Sequence, residues 1–133
     1  MTANRKIVED IYAAFERGDV PAVIAALDAE VVWAYPGPSN IPFTGVFSGV
    51  EAVQRYFDTY AGQIAETESN RFGTEAFVAD RDLVVVLGFE VTKITATGKT
   101  YNAPFAHAWT LDDGKVTKFC GYYDTAAMSA AFS

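Results

Sequence analysis

The sequence has little that could cross-link the chain or bind a metal. Among its 133 residues there is one cysteine, Cys120, and one histidine, His107. A single cysteine excludes an internal disulfide, and a lone histidine without a second cysteine or histidine nearby does not match the ligand spacing of a zinc site. We therefore expect no metal and no cofactor.

Basic residues and long apolar runs are also scarce. The chain has 10 lysines and arginines against 17 acidic residues, a net charge of −7. Without a basic patch, nucleic acid and anionic membranes are poor partners. No apolar run reaches transmembrane length, and residues 1–6 are not followed by the apolar stretch of a secretory signal. These features favour a cytoplasmic protein.

What the sequence does have is enough apolar material, 50% of its residues, for the core of a single domain spanning 1–133. Helical spacing and turn residues precede a region of alternating strands, and this order indicates an α+β fold. We predict helices at 4–17, after Asp19, after a capping box at 48–51, and at 125–132 after Asp124. We predict strands at 30–35, 68–78, 83–95, 99–111 and 115–123.

The two C-terminal hairpins carry the main functional lead. A two-residue turn at Thr97-Gly98 would place Glu90 opposite Phe105 and His107 opposite Gly88, so that Glu90 and His107 are diagonal neighbours on one face. A three-residue turn at 112–114 would add residues 117, 119, 121 and 123 to that face. A two-residue turn there would present Cys120 and Tyr122 instead.

Glu90 and His107 are the candidate catalytic residues. A carboxyl group among apolar neighbours has a raised pKa unless it is paired, which suits proton transfer near neutral pH. A neutral imidazole beside it can hold the carboxyl group or accept a proton. The structural alternatives are an outward-facing Glu90 and a core histidine bound to a carbonyl group or water.

Aromatic residues on the same face are candidates for binding a substrate, although the same spacing is typical of an ordinary core. Asp124 is a competing acid, but its position favours a helix cap. Cys120 should face away from the cavity and has no basic neighbour beyond Lys118. The substrate-binding candidates are Trp33, Tyr35, Phe105, Phe119 and Tyr123.

The opposite face of the predicted sheet is strongly apolar and needs a cover. We expect a homodimer packed through this outer sheet face. Its residues are Leu83, Val85, Leu87, Phe89, Val91, Ala106, Ala108 and Tyr122.

Several short motifs occur along the chain in a characteristic order. They are Glu16-Arg17-Gly18-Asp19, Tyr35-Pro36-Gly37, Gly49-Val50-Glu51-Ala52-Val53, Thr97-Gly98-Lys99-Thr100-Tyr101-Asn102 and Asp113-Gly114-Lys115-Val116. In this order they resemble SnoaL-like and ketosteroid isomerase-like members of the nuclear transport factor 2-like superfamily. The resemblance implies a curved, mixed antiparallel sheet wrapped around N-terminal helices, a cone-shaped barrel that encloses an apolar pocket.

Two activities known in this superfamily depend on residues that this chain lacks. The Asp-Pro that provides the base in ketosteroid isomerase corresponds to Tyr35-Pro36. The tyrosine and aspartic acid of its oxyanion site fall at Ile11, next to Tyr12, and at His107. The Arg-x-Asp of limonene epoxide hydrolase corresponds to 88–90, where only the acid remains, and its last aspartate falls at Gly121. Both activities are therefore disfavoured.

The sequence predicts a protein that takes a small hydrophobic ligand. The favoured hypothesis is a cofactor-free general acid/base enzyme of isomerase, cyclase or dehydratase type, acting on a carbonyl compound. A non-catalytic binding protein with the same cavity is the alternative, and an assembly module that uses the sheet face is a third.

Overall fold

The computed structural model of the protein describes residues 2–64, 67 and 69–133. Four helices and six strands follow one another along the chain. They are α1 (Thr2–Glu16), α2 (Val20–Ala25), β1 (Leu27–Tyr35), β2 (Gly45–Ser48), α3 (Val50–Gln63), β3 (Arg71–Asp80), β4 (Leu83–Lys93), β5 (Thr100–Asp112), β6 (Lys115–Tyr123) and α4 (Thr125–Ala131).

The six strands form one mixed sheet in the order β2-β1-β6-β5-β4-β3. Neighbouring strands are antiparallel except β1 and β6, which run parallel. Register shifts interrupt the β1/β6, β3/β4 and β5/β6 pairs, and such bulges bend and twist a sheet. The result is a curved, unclosed sheet with the N-terminal helices against it, which confirms the predicted α+β class.

The first two helices form as their sequence predicts. Apolar side chains such as Val8 and Ile11 recur at helical spacing and are buried. Gly18, at φ 74°, follows the end of α1. The carboxylate of Asp19 then accepts a hydrogen bond from the Ala22 backbone N–H at 3.1 Å and caps α2.

The capping box predicted for the third helix is wrong. Ser48 is the last residue of β2, a strand that the sequence analysis missed, and β2 pairs with β1. Gly49 occupies the N-cap of α3 at φ 87° without a side-chain capping bond. This left-handed conformation favours glycine, and it lets the chain pass directly from strand to helix.

The β4/β5 hairpin has a longer turn than predicted. Ile94 pairs with Lys99 across a four-residue loop, in which Gly98 adopts φ 71°. Glu90 consequently lies opposite Ala103, and His107 lies opposite Val86. The predicted register is therefore wrong by two residues. A two-residue shift preserves the face of every side chain, so Glu90 and His107 still point to the inner face.

The β5/β6 hairpin departs from its prediction in two ways that compensate. Its turn has two residues, Asp113 and Gly114, both with positive φ, as in a type I′ turn. Thr117 is an extra residue that forms a bulge, after which Trp109 lies opposite Phe119. The bulge reverses the alternation, so residues 119, 121 and 123 keep the predicted face even though the predicted turn is wrong.

The remaining boundaries agree within a few residues. The predicted start of the third strand, Glu68, lies outside the described residues, and β3 begins at Arg71. Asp124 caps α4 through a hydrogen bond from the Ala127 N–H at 3.2 Å, as predicted. None of the described helices is long and apolar enough to cross a membrane.

The core lies between the helices and the inner face of the sheet, and it is rich in aromatic rings. On the outer face several large apolar side chains remain exposed. They include Val78, Leu83, Leu87 and Tyr122. This arrangement separates a packed interior, where the candidate site lies, from an apolar outer surface.

Candidate functional site

A small cavity of about 50 Å³ lies inside the core, between the helices and the sheet. It has room for a few water molecules, whereas pockets for drug-sized ligands usually measure about 300–1,000 Å³. A larger ligand must therefore displace side chains. The cavity is lined by Ile11, Tyr12, Phe15, Val23, Trp33, Tyr35, Tyr56, Phe57, Tyr60, Phe72, Glu90, His107, Trp109, Phe119 and Tyr123.

Glu90 is held in the cavity wall by tyrosines. Its side chain points inward from β4, and the residue is only 2% exposed. The hydroxyl group of Tyr60, on α3, donates to Oε1, and that of Tyr101, on β5, donates to Oε2 at 3.0 Å. Within the described part of the chain, no lysine, arginine or histidine forms an ion pair with Glu90. The carboxyl group thus relies on neutral donors.

Burial raises the pKa of Glu90 from its ordinary value of 4.5, because an apolar environment disfavours the carboxylate. Hydrogen bonds from Tyr60, Tyr101 and Thr92 oppose this effect by stabilising the ionised form. Burial therefore favours the protonated form of Glu90, whereas the three hydrogen bonds favour the carboxylate. A carboxyl group with a raised pKa can serve as a proton carrier.

The tyrosines around Glu90 stay protonated. Burial raises the pKa of Tyr35, Tyr56, Tyr60 and Tyr123 well above 10, and the nearby charge of Glu90 raises each of them further. A protonated hydroxyl group can donate a hydrogen bond to an oxygen that gains negative charge. The cavity wall therefore combines one carboxyl group with several donors.

His107 lies in a second hydrogen-bonded chain. Its Nδ1 is 2.5 Å from the Tyr12 hydroxyl oxygen, and its Nε2 is 2.8 Å from that of Tyr123. Trp109 Nε1 donates to the same Tyr12 oxygen at 3.0 Å. Burial lowers the pKa of His107 to about 3, so the imidazole is neutral at physiological pH.

Two tautomers of the neutral His107 ring fit these contacts. An indole N–H can only donate, so Tyr12 accepts from Trp109 in both of them. With the ring proton on Nε2, Tyr12 donates to Nδ1, the ring donates to Tyr123, and the hydroxyl hydrogen of Tyr123 is left for a further acceptor. With the ring proton on Nδ1, the ring donates to Tyr12 and Tyr123 donates to Nε2.

Two buried donors on the cavity wall lack a hydrogen-bond partner among the described residues: Trp33 Nε1 and the Tyr35 hydroxyl group. Both side chains come from β1 and share its inner face. Both donors lie near the Tyr56 hydroxyl group and oppose the rise in its pKa, and Tyr35 does the same for Tyr123, but none of these approaches has the geometry of a hydrogen bond. Unsatisfied buried donors are costly and rare.

The structure brings most of the predicted site residues together but changes their relationships. Glu90 and His107 line the same cavity, yet they are not the diagonal neighbours that the sequence predicted, and each bonds to different tyrosines. Phe105 does not line the cavity. It stacks on His107, with ring centroids 3.9 Å apart, and fixes the plane of the imidazole.

The sequence analysis missed three tyrosines that bond to the two candidate catalytic residues, Tyr12, Tyr60 and Tyr101, and it missed Trp109, which bonds to Tyr12. Tyr12 follows directly after the position that the family pattern indicated, and Tyr101 shares the alternation of the inner β5 face. Tyr56 and Tyr60 lie one helical turn apart on α3, at the spacing of the buried Val53 and Phe57, and such a pattern by itself indicates packing. Their spacing was visible, but nothing in the sequence distinguishes a tyrosine that packs from one whose hydroxyl reaches a carboxylate.

The two remaining candidates, Asp124 and Cys120, do not line the cavity. Asp124 is a helix cap, as described above. Cys120 lies on the outer side of the sheet next to Tyr122, away from the cavity, as predicted. In the described part of the chain, no three histidine, cysteine or acidic side chains cluster so as to hold a metal ion.

Comparison with known proteins identifies the fold and the family of this chain. The fold is that of NTF2-like proteins, and the chain belongs to the SnoaL-like domain family, whose model matches residues 8–119. An NTF2-like protein of unknown function from Burkholderia pseudomallei is 30% identical, covers 100% of this chain and 99% of its own, and has a TM-score of 0.89. A second NTF2-like protein, from Burkholderia xenovorans, is 27% identical, covers 100% of this chain and 98% of its own, and has a TM-score of 0.87.

A more distant structure shares the fold alone. It is a provisionally assigned SnoaL-like polyketide cyclase from a Jannaschia species, 15% identical over 99% of this chain and 92% of its own, with a TM-score of 0.82. A comparison with curated proteins found no match.

Proposed function

We propose that the protein is a cofactor-free general acid/base enzyme that moves a proton next to the carbonyl group of a small hydrophobic compound. The observation that carries this proposal is the environment of Glu90, a carboxyl group 2% exposed on the cavity wall and held by tyrosine hydroxyl groups instead of a cation. Buried carboxyl groups with a raised pKa are typical of proton carriers.

The proposed step is an enolisation. The carboxylate of Glu90 takes a proton from the carbon beside the carbonyl group, and the C–H electron pair forms a carbon–carbon double bond. The carbonyl oxygen then carries the negative charge. Return of a proton to the same carbon, after solvent has replaced the proton on Glu90, gives exchange, and return to another carbon of a conjugated enone gives isomerisation. In a cyclisation, the enolate carbon instead forms a bond to a second carbonyl carbon of the substrate, whose oxygen takes the proton from Glu90. Protonated tyrosines on the wall stabilise the oxyanion.

His107 acts through Tyr123 in this proposal. It does not bond to Glu90, and a pKa of about 3 makes it a poor acid or base at neutral pH. In the tautomer with its proton on Nε2, the neutral ring donates to the Tyr123 oxygen and leaves the Tyr123 hydrogen available to a substrate. We therefore regard His107 as a positioning residue.

The test is deuterium incorporation beside the carbonyl group, followed by NMR in a panel of cyclic ketones and enones. We expect exchange with the wild-type chain and its loss in Glu90→Gln, an uncharged side chain of the same shape. Glu75→Gln, the same change at an exposed position on β3, is the matched control and should exchange normally. Equal exchange by Glu90→Gln would remove Glu90 from the mechanism.

A non-catalytic binding protein is the second candidate. The unpartnered Trp33 and Tyr35 donors favour it, because they suit a ligand acceptor whether or not a reaction follows. Demonstrated binding of a ketone without exchange in any compound would support this function.

The outer sheet face supports a further proposal, a homodimer. Leu87 and Tyr122 are 43% and 55% exposed on an apolar surface, which a second copy would cover. Light scattering at micromolar concentration should give twice the chain mass, and Leu87→Glu should reduce it to one chain. A monomeric wild-type protein would exclude the dimer.

A further inference from the structure

Trp33 and Tyr35 each carry a buried polar group without a hydrogen-bond partner in the described part of the chain, and their predicted role as pocket walls does not explain this. Both polar groups are buried, lie on the cavity wall and have no hydrogen-bond partner among the described residues. The side chains are 3% and 2% exposed, so bulk water does not satisfy them. A fold tolerates such groups where a ligand supplies the missing partner.

An acceptor can satisfy both groups. The indole N–H of Trp33 can only donate, and the pKa of Tyr35 is raised well above 10 by burial and by its charged and polar neighbours, so Tyr35 keeps its proton. Glu90 is already occupied by donors on both of its oxygens. The two groups therefore form a donor site separate from the groups that hold Glu90.

The packing keeps both donors in place. The Trp33 ring stacks on Phe119 with centroids 4.0 Å apart, and the Tyr35 ring stacks on Tyr123 at 4.9 Å. Rigid donors in an apolar wall cost little to reorganise when an acceptor arrives. The stack also places Tyr35 beside Tyr123, a second tyrosine that lines the cavity.

We infer that Trp33 Nε1 and the Tyr35 hydroxyl group form the binding site for an uncharged oxygen acceptor, the carbonyl oxygen of a small ketone. The assignment rests on the proposed function for the identity of the ligand, and it supplies what that function needs, a fixed position for the oxygen. The same pair would hold that oxygen as it gains charge.

The probes for the test are cyclopentanone and methylenecyclopentane, which have nearly the same shape but carry =O and =CH2 respectively. We expect the wild-type chain to bind the ketone roughly tenfold more tightly, since an unpaired buried donor costs the site that much when the oxygen is missing. Tyr35→Phe and Trp33→Phe should each bring the two affinities close together. Tyr122→Phe, on the outer face, should retain the full preference.

A spectroscopic readout separates hydrogen bonding from shape. Hydrogen bonds move the ¹³C resonance of a carbonyl carbon downfield, so bound cyclopentanone should show this shift in the wild-type chain and a smaller one in Tyr35→Phe. The thermal stability of free Tyr35→Phe should equal or exceed that of the wild type, because the substitution removes an unsatisfied group. Equal affinities for the two probes, an unchanged ¹³C shift in both variants, a destabilised Tyr35→Phe or no ketone binding would each overturn the proposal.

The same ketone distinguishes this proposal from the proposed reaction. Glu90→Gln should keep the preference for cyclopentanone and its carbonyl shift. Loss of deuterium exchange with retained oxygen recognition supports both proposals. Retained recognition without exchange in any form of the chain supports the acceptor site and removes the reaction.

Discussion

Glu90 and His107 face the same cavity from adjacent strands, yet each is held by its own set of tyrosines. Glu90 lies opposite Ala103 and bonds to Tyr60 and Tyr101, whereas His107 lies opposite Val86 and bonds to Tyr12 and Tyr123. The site therefore has a proton carrier and a separate positioning chain. Substitutions in the two networks should have different consequences.

Removing the hydroxyl groups that hold Glu90 should raise its pKa further. The hydroxyl groups of Tyr60 and Tyr101 stabilise the carboxylate and so lower the pKa that burial raises. Tyr60→Phe and Tyr101→Phe each remove one of these opposing contacts. A ¹³C NMR titration of the glutamate carboxyl carbons should show a higher midpoint for Glu90 in each variant than in the wild type. Tyr122→Phe should leave the midpoint unchanged. An unaltered or lower midpoint in both inner variants would show that these contacts do not control the carboxyl group.

Tyr12→Phe should destabilise the fold by about 2–4 kcal/mol, because it leaves both the Trp109 N–H and His107 Nδ1 without a partner. Urea unfolding measures the change. The control is Tyr122→Phe, which removes a hydroxyl group from a residue that is 55% exposed and should change stability by less than about 0.5 kcal/mol. Similar losses in the two variants would show that the Tyr12 contacts contribute little.

His107 should make stability depend on pH on the acid side of neutrality. Its pKa is lowered to about 3 in the folded chain from an ordinary value of 6.5, so the unfolded chain binds a proton first as the pH falls. Its contribution is complete above pH 6.5 and is lost between 6.5 and 3, at up to about 1.4 kcal/mol per pH unit.

The comparison that isolates this effect is the difference in unfolding free energy between the wild type and His107→Gln. As the pH is lowered through this window, the wild type should lose stability relative to His107→Gln. A difference independent of pH would mean that His107 is not buried in its neutral form.

Gly88 should tolerate no side chain. A Cβ atom there would lie 2.3 Å from the Gly73 carbonyl oxygen and 2.5 Å from the Phe105 ring, which stacks on His107. Gly88→Ala should therefore lower the free energy of unfolding by roughly 1–3 kcal/mol through overpacking. Gly62→Ala, on α3 where a Cβ would meet nothing within 4 Å, should instead stabilise by up to about 1 kcal/mol. Loss of stability in both variants would point to a different cause.

The sequence predicted the class of fold and the inner face of the sheet better than it predicted contacts. Side-chain alternation places Glu90 and His107 on the same face whether the hairpin register is right or shifted by two residues. Phe119 and Tyr123 kept their predicted face because the bulge at Thr117 compensates for the shorter turn. Bulges of this kind leave no clear local signal in the sequence.

The hydrogen-bond partners of the site could not be predicted in the same way. Tyr12 and Tyr60 come from helices far along the chain from the strands that they contact. Their roles depend on how the helices pack against the curved sheet, and a shift of one residue on a helix would turn each hydroxyl group away. The pairing of Glu90 with neutral donors was therefore visible only in three dimensions.

The most direct test of the account is the pKa of Glu90 in the wild-type chain, measured by ¹³C NMR of its carboxyl carbon and assigned with Glu90→Gln. A raised pKa in the folded state also means that the wild type loses stability as the pH rises from 4.5 through that pKa. The free energy of unfolding of Glu90→Gln should therefore increase relative to that of the wild type over the same range. The account predicts a midpoint above 4.5. A midpoint at or below 4.5 would contradict the claim that Glu90 is a buried proton carrier.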